Sequence, residues 1–305
     1  MIARRRLGVL GWCHSDERGY MAISVRTARR FYAEELRYTA NVSSRAVVNA
    51  FATVPREHFV GPGPWRILSP MRLGDYWTTE DADPRHLYHD VLIALDEARG
   101  INNGQPALWA KLYDHLNLPA GAHVVHVGAG TGYYSAILAQ IVGRRGRVTA
   151  IEIDPGLAAR ARDNLAIWPQ ATVVVADGFT FRCDQPANAI VVNAGVTHVS
   201  MTWLDMLSVD GGHLLVPLTK SDRWGGFLLI ERHAAETWRY PAQLVSPTGI
   251  IHCIGGRDPA AEARLGAALA RSRMADVRSL RRAPDEPDET CWLAGEGWWL
   301  STAAA

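Results

Sequence analysis

Residues 124–133, Val-Val-His-Val-Gly-Ala-Gly-Thr-Gly-Tyr, decide how this chain folds. A mostly β-branched run stops at a glycine cluster, and an apolar helical pattern from Tyr133 to Val142 starts directly after it. A loop that turns from strand to helix with its backbone against a ligand needs residues without a Cβ. The helix behind it aims unpaired N–H groups at that ligand. Gly128, Gly130 and Gly132 read G-x-G-x-G, whereas a dinucleotide loop reads G-x-G-x-x-G, and Tyr133 stands at its third-glycine position. A nucleoside without a pyrophosphate fits this spacing better. Ala129 and Tyr133 belong to the same candidate loop, and a purely structural turn is the plain alternative.

Working outward, Pro106 opens a helix with Leu108, Leu112 and Leu116 at helical spacing, and His123–Val127 is the strand feeding the glycines. Strands at Arg147–Ile153, Thr172–Ala176 and Ala189–Val192 alternate with helices, one of them opened by Asp154 and Pro155. His213–Pro217, Phe227–Glu231 and Gly249–Ile254 read as later strands. The pattern predicts an α/β fold: a mainly parallel seven-stranded sheet, helices on both faces, and an antiparallel edge. Residues 24–89 are expected to be helical (Ser24–Tyr38, Ser44–Val54) followed by an irregular cover. Asp90–Leu95 is a short strand or a helical turn, and 90–257 form the nucleoside-binding domain. Pro259–Leu280 reads as a helix ahead of a Trp-rich tail, in a chain with eleven tryptophans.

Glu152 ends the second strand twenty residues after Gly132, where a carboxylate can accept both ribose hydroxyl protons. Asp177, in Ala176-Asp177-Gly178, ends the third strand and suits an exocyclic amine, while Ile153 or Phe179 offers an apolar face to a purine. Capping of the following turns is the structural alternative for both acids. Asn193 ends the fourth strand, at the same carboxyl edge of the sheet. The 305 residues carry 32 basic and 31 acidic side chains, a balance that predicts no nucleic-acid or membrane partner. Four scattered cysteines (Cys13, Cys183, Cys253, Cys291) show no metal or redox spacing and fit a reducing cytoplasm. Arg4–Arg6 precede an apolar stretch too short for a bilayer span and without a cleavage site, and Met21 is a second candidate translation start.

Several blocks together resemble the protein-L-isoaspartate O-methyltransferase family of class I, Rossmann-like, S-adenosyl-L-methionine-dependent methyltransferases. Ala50-Phe51-Ala52-Thr53-Val54-Pro55-Arg56-Glu57-His58-Phe59-Val60 is similar to the family's segment before the catalytic core. Gln105-Pro106, Val148–Ile153, Ala176-Asp177-Gly178, Asn188–Ala194 and Asp210–Pro217 match later blocks, so that the likeness spans about residues 28–257. The resemblance implies S-adenosyl-L-methionine as cofactor, bound by Gly128, Gly130, Gly132, Glu152 and Asp177, with Ala129, Tyr133, Ile153 and Gly178 beside them.

The family's substrate loop, Gly-x-Thr-x-Ser-x-Pro, stands here as Gly100-Ile101-Asn102-Asn103-Gly104-Gln105-Pro106. Asn102 replaces the threonine, Gly104 the serine, and His126 an acidic residue two before the first glycine. Asn102, Asn103, Gln105 and Asn193 are the candidate acceptor-orienting residues, with amides that either donate to the acceptor or close the loop on its own backbone. Tyr88 and His198 are candidate substrate contacts. Gly104→Ser is expected to raise weak isoaspartyl activity. The leading reading is an O-methyltransferase acting on a carboxylate of a peptide, protein or small molecule. Alternatives are a specialised natural-product or modified-peptide methyltransferase, a non-catalytic cofactor-binding module, and an NAD-dependent oxidoreductase. Oligomeric state and the role of 258–305 stay open.

Overall fold

A computed structural model describes residues 23–71, 74–233 and 238–305. The basic stretch at Arg4–Arg6, Cys13 and Met21 lie outside the described residues. Two helices lead, α1 (Val25–Thr39) and α2 (Arg45–Thr53), capped by the hydroxyls of Ser24 and Ser44. Their apolar faces place Tyr32, Leu36, Val47 and Phe51 in the core.

The cover that follows is more regular than its Gly- and Pro-rich composition suggests. Strands β1 (Arg66–Leu68), β2 (Trp77–Thr78), β3 (Leu92–Asp96) and β4 (Ile101–Asn102) form a separate four-stranded sheet in the order β2-β1-β3-β4. It has a small core of its own in Trp65, Ile67, Leu87 and Ile93. Asp90–Leu95 therefore resolves into a strand, but one outside the main sheet.

The main unit runs α3 (Pro106–Leu116), β5 (His123–Val127), α4 (Tyr133–Val142), β6 (Arg147–Glu152), α5 (Pro155–Leu165), β7 (Ala171–Val175) and β8 (Ala189–Val192). It continues with α6 (Met201–Met206), β9 (Gly212–Thr219), β10 (Trp224–Arg232), β11 (Arg239–Gly249), α7 (Pro259–Arg271), β12 (Ser279–Arg282), β13 (Cys291–Gly295) and β14 (Trp298–Ser301). The strands form one ten-stranded sheet, β13-β14-β12-β11-β10-β9-β8-β5-β6-β7. From β9 to β7 the pairings are parallel, and from β9 outward to β13 they are antiparallel. Successive β5 residues alternate between two cores: Val124 joins the one under α1–α4, and Val125 and Val127 join the one under α6 and α7. The chain runs outward through β6 and β7, then returns to place β8 on the other side of β5. That reversal opens a crevice at the carboxyl ends of β5, β6 and β8.

Three expectations change. Among the described residues the sheet has ten strands rather than seven. The strand expected at Gly249–Ile254 ends where it was expected to begin, because β11 occupies 239–249. Pro241 and Pro247 obscure β11 in the sequence. Its pairing with β12 covers only Arg239–Pro241, so at Pro247 that edge has no described partner for a missing N–H to disrupt. The helix expected to reach Leu280 ends at Arg271. Asp276 accepts from the Arg273 backbone N–H at 3.1 Å and starts a new turn, after which Leu280 is fully buried in β12. The Trp-rich tail is core: Trp292, Trp298 and Trp299 are each at most 3% exposed.

Candidate active site

A cavity of about 1110 Å³ opens at the crevice. One wall is the carboxyl ends of β5, β6 and β8 with Gly128, Gly130, Glu152, Ile153 and Asn193, and the opposite wall is the substrate loop with Asn102, Gly104 and Gln105. The third wall was not foreseen: the irregular segment Ile250–Ile254, with Arg223 and Trp224 beside it.

The glycine loop is built for close approach. Gly130 has φ +57° with nothing within 4 Å of where a Cβ would stand, so its backbone lies bare toward open space. Gly132 caps α4 without any side-chain partner for the first-turn N–H groups. Glu152 is 7% exposed, and burial raises its carboxyl above the usual range. One carboxylate oxygen accepts from Gly130 N at 2.7 Å and the other from Asp154 N at 3.0 Å. Four lone-pair sites on a carboxylate leave capacity for two further donors. A bare backbone, a buried carboxylate with spare acceptors and the half-exposed Ile153 match a ribose, its neighbouring groups and a purine face. The residues present therefore fit S-adenosyl-L-methionine.

Several candidate residues stand elsewhere. Tyr133 is 1% exposed and packs with Phe51, Phe59 and Tyr32, and Ala129 is buried beside it. Asp177 lies behind the cavity wall formed by Ala176 and Gly178: its carboxylate accepts from Phe179 N at 2.9 Å, and Gly255 packs onto it. Phe179 meets Trp203 and His198 in T-shaped contacts and does not line the cavity. His198 bonds Thr197 at 3.0 Å and burial lowers its basicity, but it does not line the cavity. Tyr88 is buried against Glu57, to which its hydroxyl donates, and burial pushes the phenol far up. Core packing holds Tyr133, Ala129 and Tyr88, whereas Asp177, Phe179 and His198 are partly buried outside the cavity lining.

The substrate loop is organised from behind by Arg56. This residue is fully buried, and all five of its N–H donors are used. Nε donates to Asn103 Oδ1 at 3.0 Å, Nη1 to the Leu87 and His89 carbonyls, and Nη2 to those of Val91 and Gly104. Asn103 is thus a partner of Arg56, 6% exposed, and not an acceptor contact. Asn102 Oδ1 accepts from Gly104 N at 2.8 Å, closing the loop on itself, and Gln105 Nε2 donates to Asp90 at 2.8 Å. Asn193 Nδ2 donates to the Gly128 carbonyl at 3.2 Å. In each case a structural bond takes one end of the amide. For Asn102, Gln105 and Asn193 the other end remains at the cavity wall.

Gly104 overturns the expectation for Gly104→Ser. Its φ is +78°, and a Cβ would stand 2.9 Å from Trp109 Nε1 and 3.0 Å from Tyr134 Cε2. Its carbonyl accepts from Tyr134 Oη and Arg56. The loop has been rebuilt around a glycine rather than merely losing a hydroxyl. Gly104→Ser is expected to destabilise the chain by about 2 kcal/mol and to leave isoaspartyl turnover no higher, as thermal melting and a methyl-transfer assay would read.

The sequence profile of the protein-L-isoaspartate(D-aspartate) O-methyltransferase family matches residues 29–238. The chain belongs to this family. Relatives include the protein-L-isoaspartate O-methyltransferase 1 of Archaeoglobus fulgidus, 29% identical over 218 residues, covering 70% of this chain and 89% of that one. The Syntrophotalea carbinolica protein-L-isoaspartate O-methyltransferase is 32% identical over 195 residues, covering 63% and 78%. A solved protein-L-isoaspartate O-methyltransferase superposes with TM-score 0.60 at 24% identity, over 78% of this chain and 68% of that one. A Plasmodium falciparum structure described as a member of the same family, in complex with S-adenosyl-L-homocysteine, gives 0.56 at 15% identity over 74% and 98%. Both likenesses establish the fold. As a family member the chain is a class I, Rossmann-like methyltransferase dependent on S-adenosyl-L-methionine, and the nicotinamide reading falls away. Residues 239–305, which hold β11 to β14 and α7, lie beyond the matched span.

Proposed function

We propose that this protein-L-isoaspartate O-methyltransferase family member methylates a carboxylate of a peptide or protein. Gly128, Gly130, Glu152 and Ile153 would hold the cofactor, and Asn102, Gln105 and Asn193 would orient the acceptor. The observation that carries this reading is the buried Glu152 carboxylate beside the bare Gly130 backbone, facing the substrate loop across one cavity.

The bound cofactor supplies an electrophilic methyl group on a sulfonium. An acceptor carboxylate is ionised near pH 7, so no side chain has to remove a proton. What the chain contributes is alignment and exclusion of water. Asn193 Nδ2 keeps a second N–H, beside the one given to the Gly128 carbonyl, that can donate to the acceptor. Cys253 lines the same cavity, but burial and the Asp177 charge push its thiol up to about 12, so it stays protonated and does not compete as a nucleophile.

Labelled S-adenosyl-L-methionine with matched isoaspartyl and aspartyl peptides tests the reaction. Base-labile label on either peptide supports it, and label on neither overturns it. Glu152→Ala is expected to weaken S-adenosyl-L-homocysteine binding about 10- to 100-fold, read by calorimetric titration. Cys183, Cys253 and Cys291 are free thiols, which fits a reducing compartment such as the cytoplasm. Among the described residues no helix is long and apolar enough to cross a membrane.

A further inference from the structure

The C-terminal segment outside the family match reaches back to the mouth of the cavity. Glu262, in the first turn of α7, accepts from Ser221 N at 2.5 Å and from Arg257 Nη2 at 2.7 Å. Arg257 in turn donates to the Thr219 carbonyl at 2.8 Å. The 220–223 turn between β9 and β10 is therefore pinned by an element the family profile does not include.

That turn carries Arg223 at φ +70°, a left-handed conformation that a long side chain adopts at a cost of about 1 kcal/mol. Two backbone bonds hold it there: Arg223 N donates to the Lys220 carbonyl at 3.0 Å, and Ile250 N donates to the Arg223 carbonyl at 3.1 Å. The guanidinium reaches the substrate loop, with Nη1 3.3 Å from where a Cβ of Gly100 would stand. Two neighbouring cations are neutralised: Lys220 pairs with Asp222 at 2.8 Å, and Arg99 with Asp96 and Asp154 at 2.6 Å each, whereas Lys111 on α3 lines the cavity without an ion pair among the described residues. Among the described residues no carboxylate pairs with Arg223, although it lines the cavity beside the exposed Trp224.

We propose that Arg223 determines specificity by receiving an acidic side chain that flanks the methylated carboxylate of the acceptor, and that Glu262 is the residue that positions it. The inference rests on the peptide-acceptor reading above. A strained backbone at the only unneutralised arginine of this mouth has no structural return within the chain itself, because the guanidinium closes no ion pair. An acidic ligand would supply one.

The test uses the full chain with S-adenosyl-L-homocysteine and two aspartyl peptides that differ only in flanking Asp or flanking Lys residues. Binding is measured by calorimetry and transfer by label. The unaltered chain is expected to bind the acidic peptide about fivefold more tightly, and less selectively at high salt. Arg223→Ala brings the ratio to about one, while Arg223→Lys keeps most of it. Glu262→Ala lowers the ratio, and Glu262→Gln, which retains an acceptor for Ser221 N, keeps it. A ratio unchanged by Arg223→Ala, no preference in the unaltered chain, or binding of neither peptide overturns the proposal. Charge-selective binding that depends on Arg223 without any methyl transfer supports it while overturning the reaction proposed above. Transfer with a ratio indifferent to Arg223 does the reverse.

Discussion

Arg56→Ala is expected to cost about 3–5 kcal/mol of stability, read as a large drop in the urea midpoint, and to leave residues 84–104 open to limited proteolysis. The size follows from acceptors that have no substitute donor. Five acceptors, four of them backbone carbonyls, meet one buried guanidinium. Removing it leaves the Leu87 and Val91 carbonyls and Asn103 Oδ1 without that donor, each at about 1–3 kcal/mol before relaxation, while the Gly104 and His89 carbonyls keep Tyr134 Oη and Val91 N. Among the described residues no carboxylate pairs with its positive charge; the carbonyl dipoles and the Tyr133 ring, 5.8 Å from the guanidinium carbon, stabilise it instead. Arg56→Lys keeps the charge but offers three donors from one point, which cannot span acceptors on Leu87, Val91 and Gly104 together. An intermediate loss for lysine would confirm that fork geometry matters. A loss below about 1 kcal/mol for alanine would show that the loop is held by something else.

The second large effect is an acid limb set by His126. This residue is fully buried on β5, bonds Ser135 Oγ through Nδ1 at 2.8 Å, and leaves Nε2 without a partner. Burial alone pushes its pKa down from 6.5 to about 3. The folded chain thus keeps a neutral imidazole where the unfolded chain binds a proton. Stability is complete above pH 6.5 and falls as pH drops toward 3, by about 1.4 kcal/mol per unit and about 4–5 kcal/mol in all. His123, His198 and His213 are also lowered by burial and add in the same direction. Carboxylates that lose their partners act below about pH 4, so the interval from pH 6.5 to 5 reports mainly on histidine. His126→Gln is expected to flatten that interval, whatever it costs at neutral pH. Parallel slopes for the two proteins would assign the acid limb to other groups.

What the sequence disclosed and what it hid divide along contact distance. The glycine loop, Pro106 and the cap at Asp154 were legible because neighbours along the chain decide them, as the bond to Leu157 N at 2.9 Å illustrates. Glu152 was legible for the same reason, since its place at a strand end follows from hydrophobic periodicity. The role of Asn103 was hidden, because its partner lies 47 residues away. The cavity wall at 250–254 was hidden because β11 contains two prolines and displaced the strand boundary by several residues. Arg223 meets Gly100 only after two sheets have been assembled, and no local pattern encodes that meeting. Gly104 is the instructive case: comparison with the family showed a missing hydroxyl, whereas packing shows a left-handed position where a side chain would press on Trp109 and Tyr134.

The continuity of the ten-stranded sheet also fixes how far this enzyme can be shortened. Trimming to the matched span would remove β11 to β14 with α7, leave β10 without its β11 partner, and uncover the apolar surface to which Trp292, Trp298 and Leu280 belong. A bare strand edge beside such a surface is a template for intermolecular pairing. The tail therefore serves as an anti-aggregation cap, and it binds the evolution of the appended segment to that of the catalytic unit: neither can drift or be lost without exposing the other.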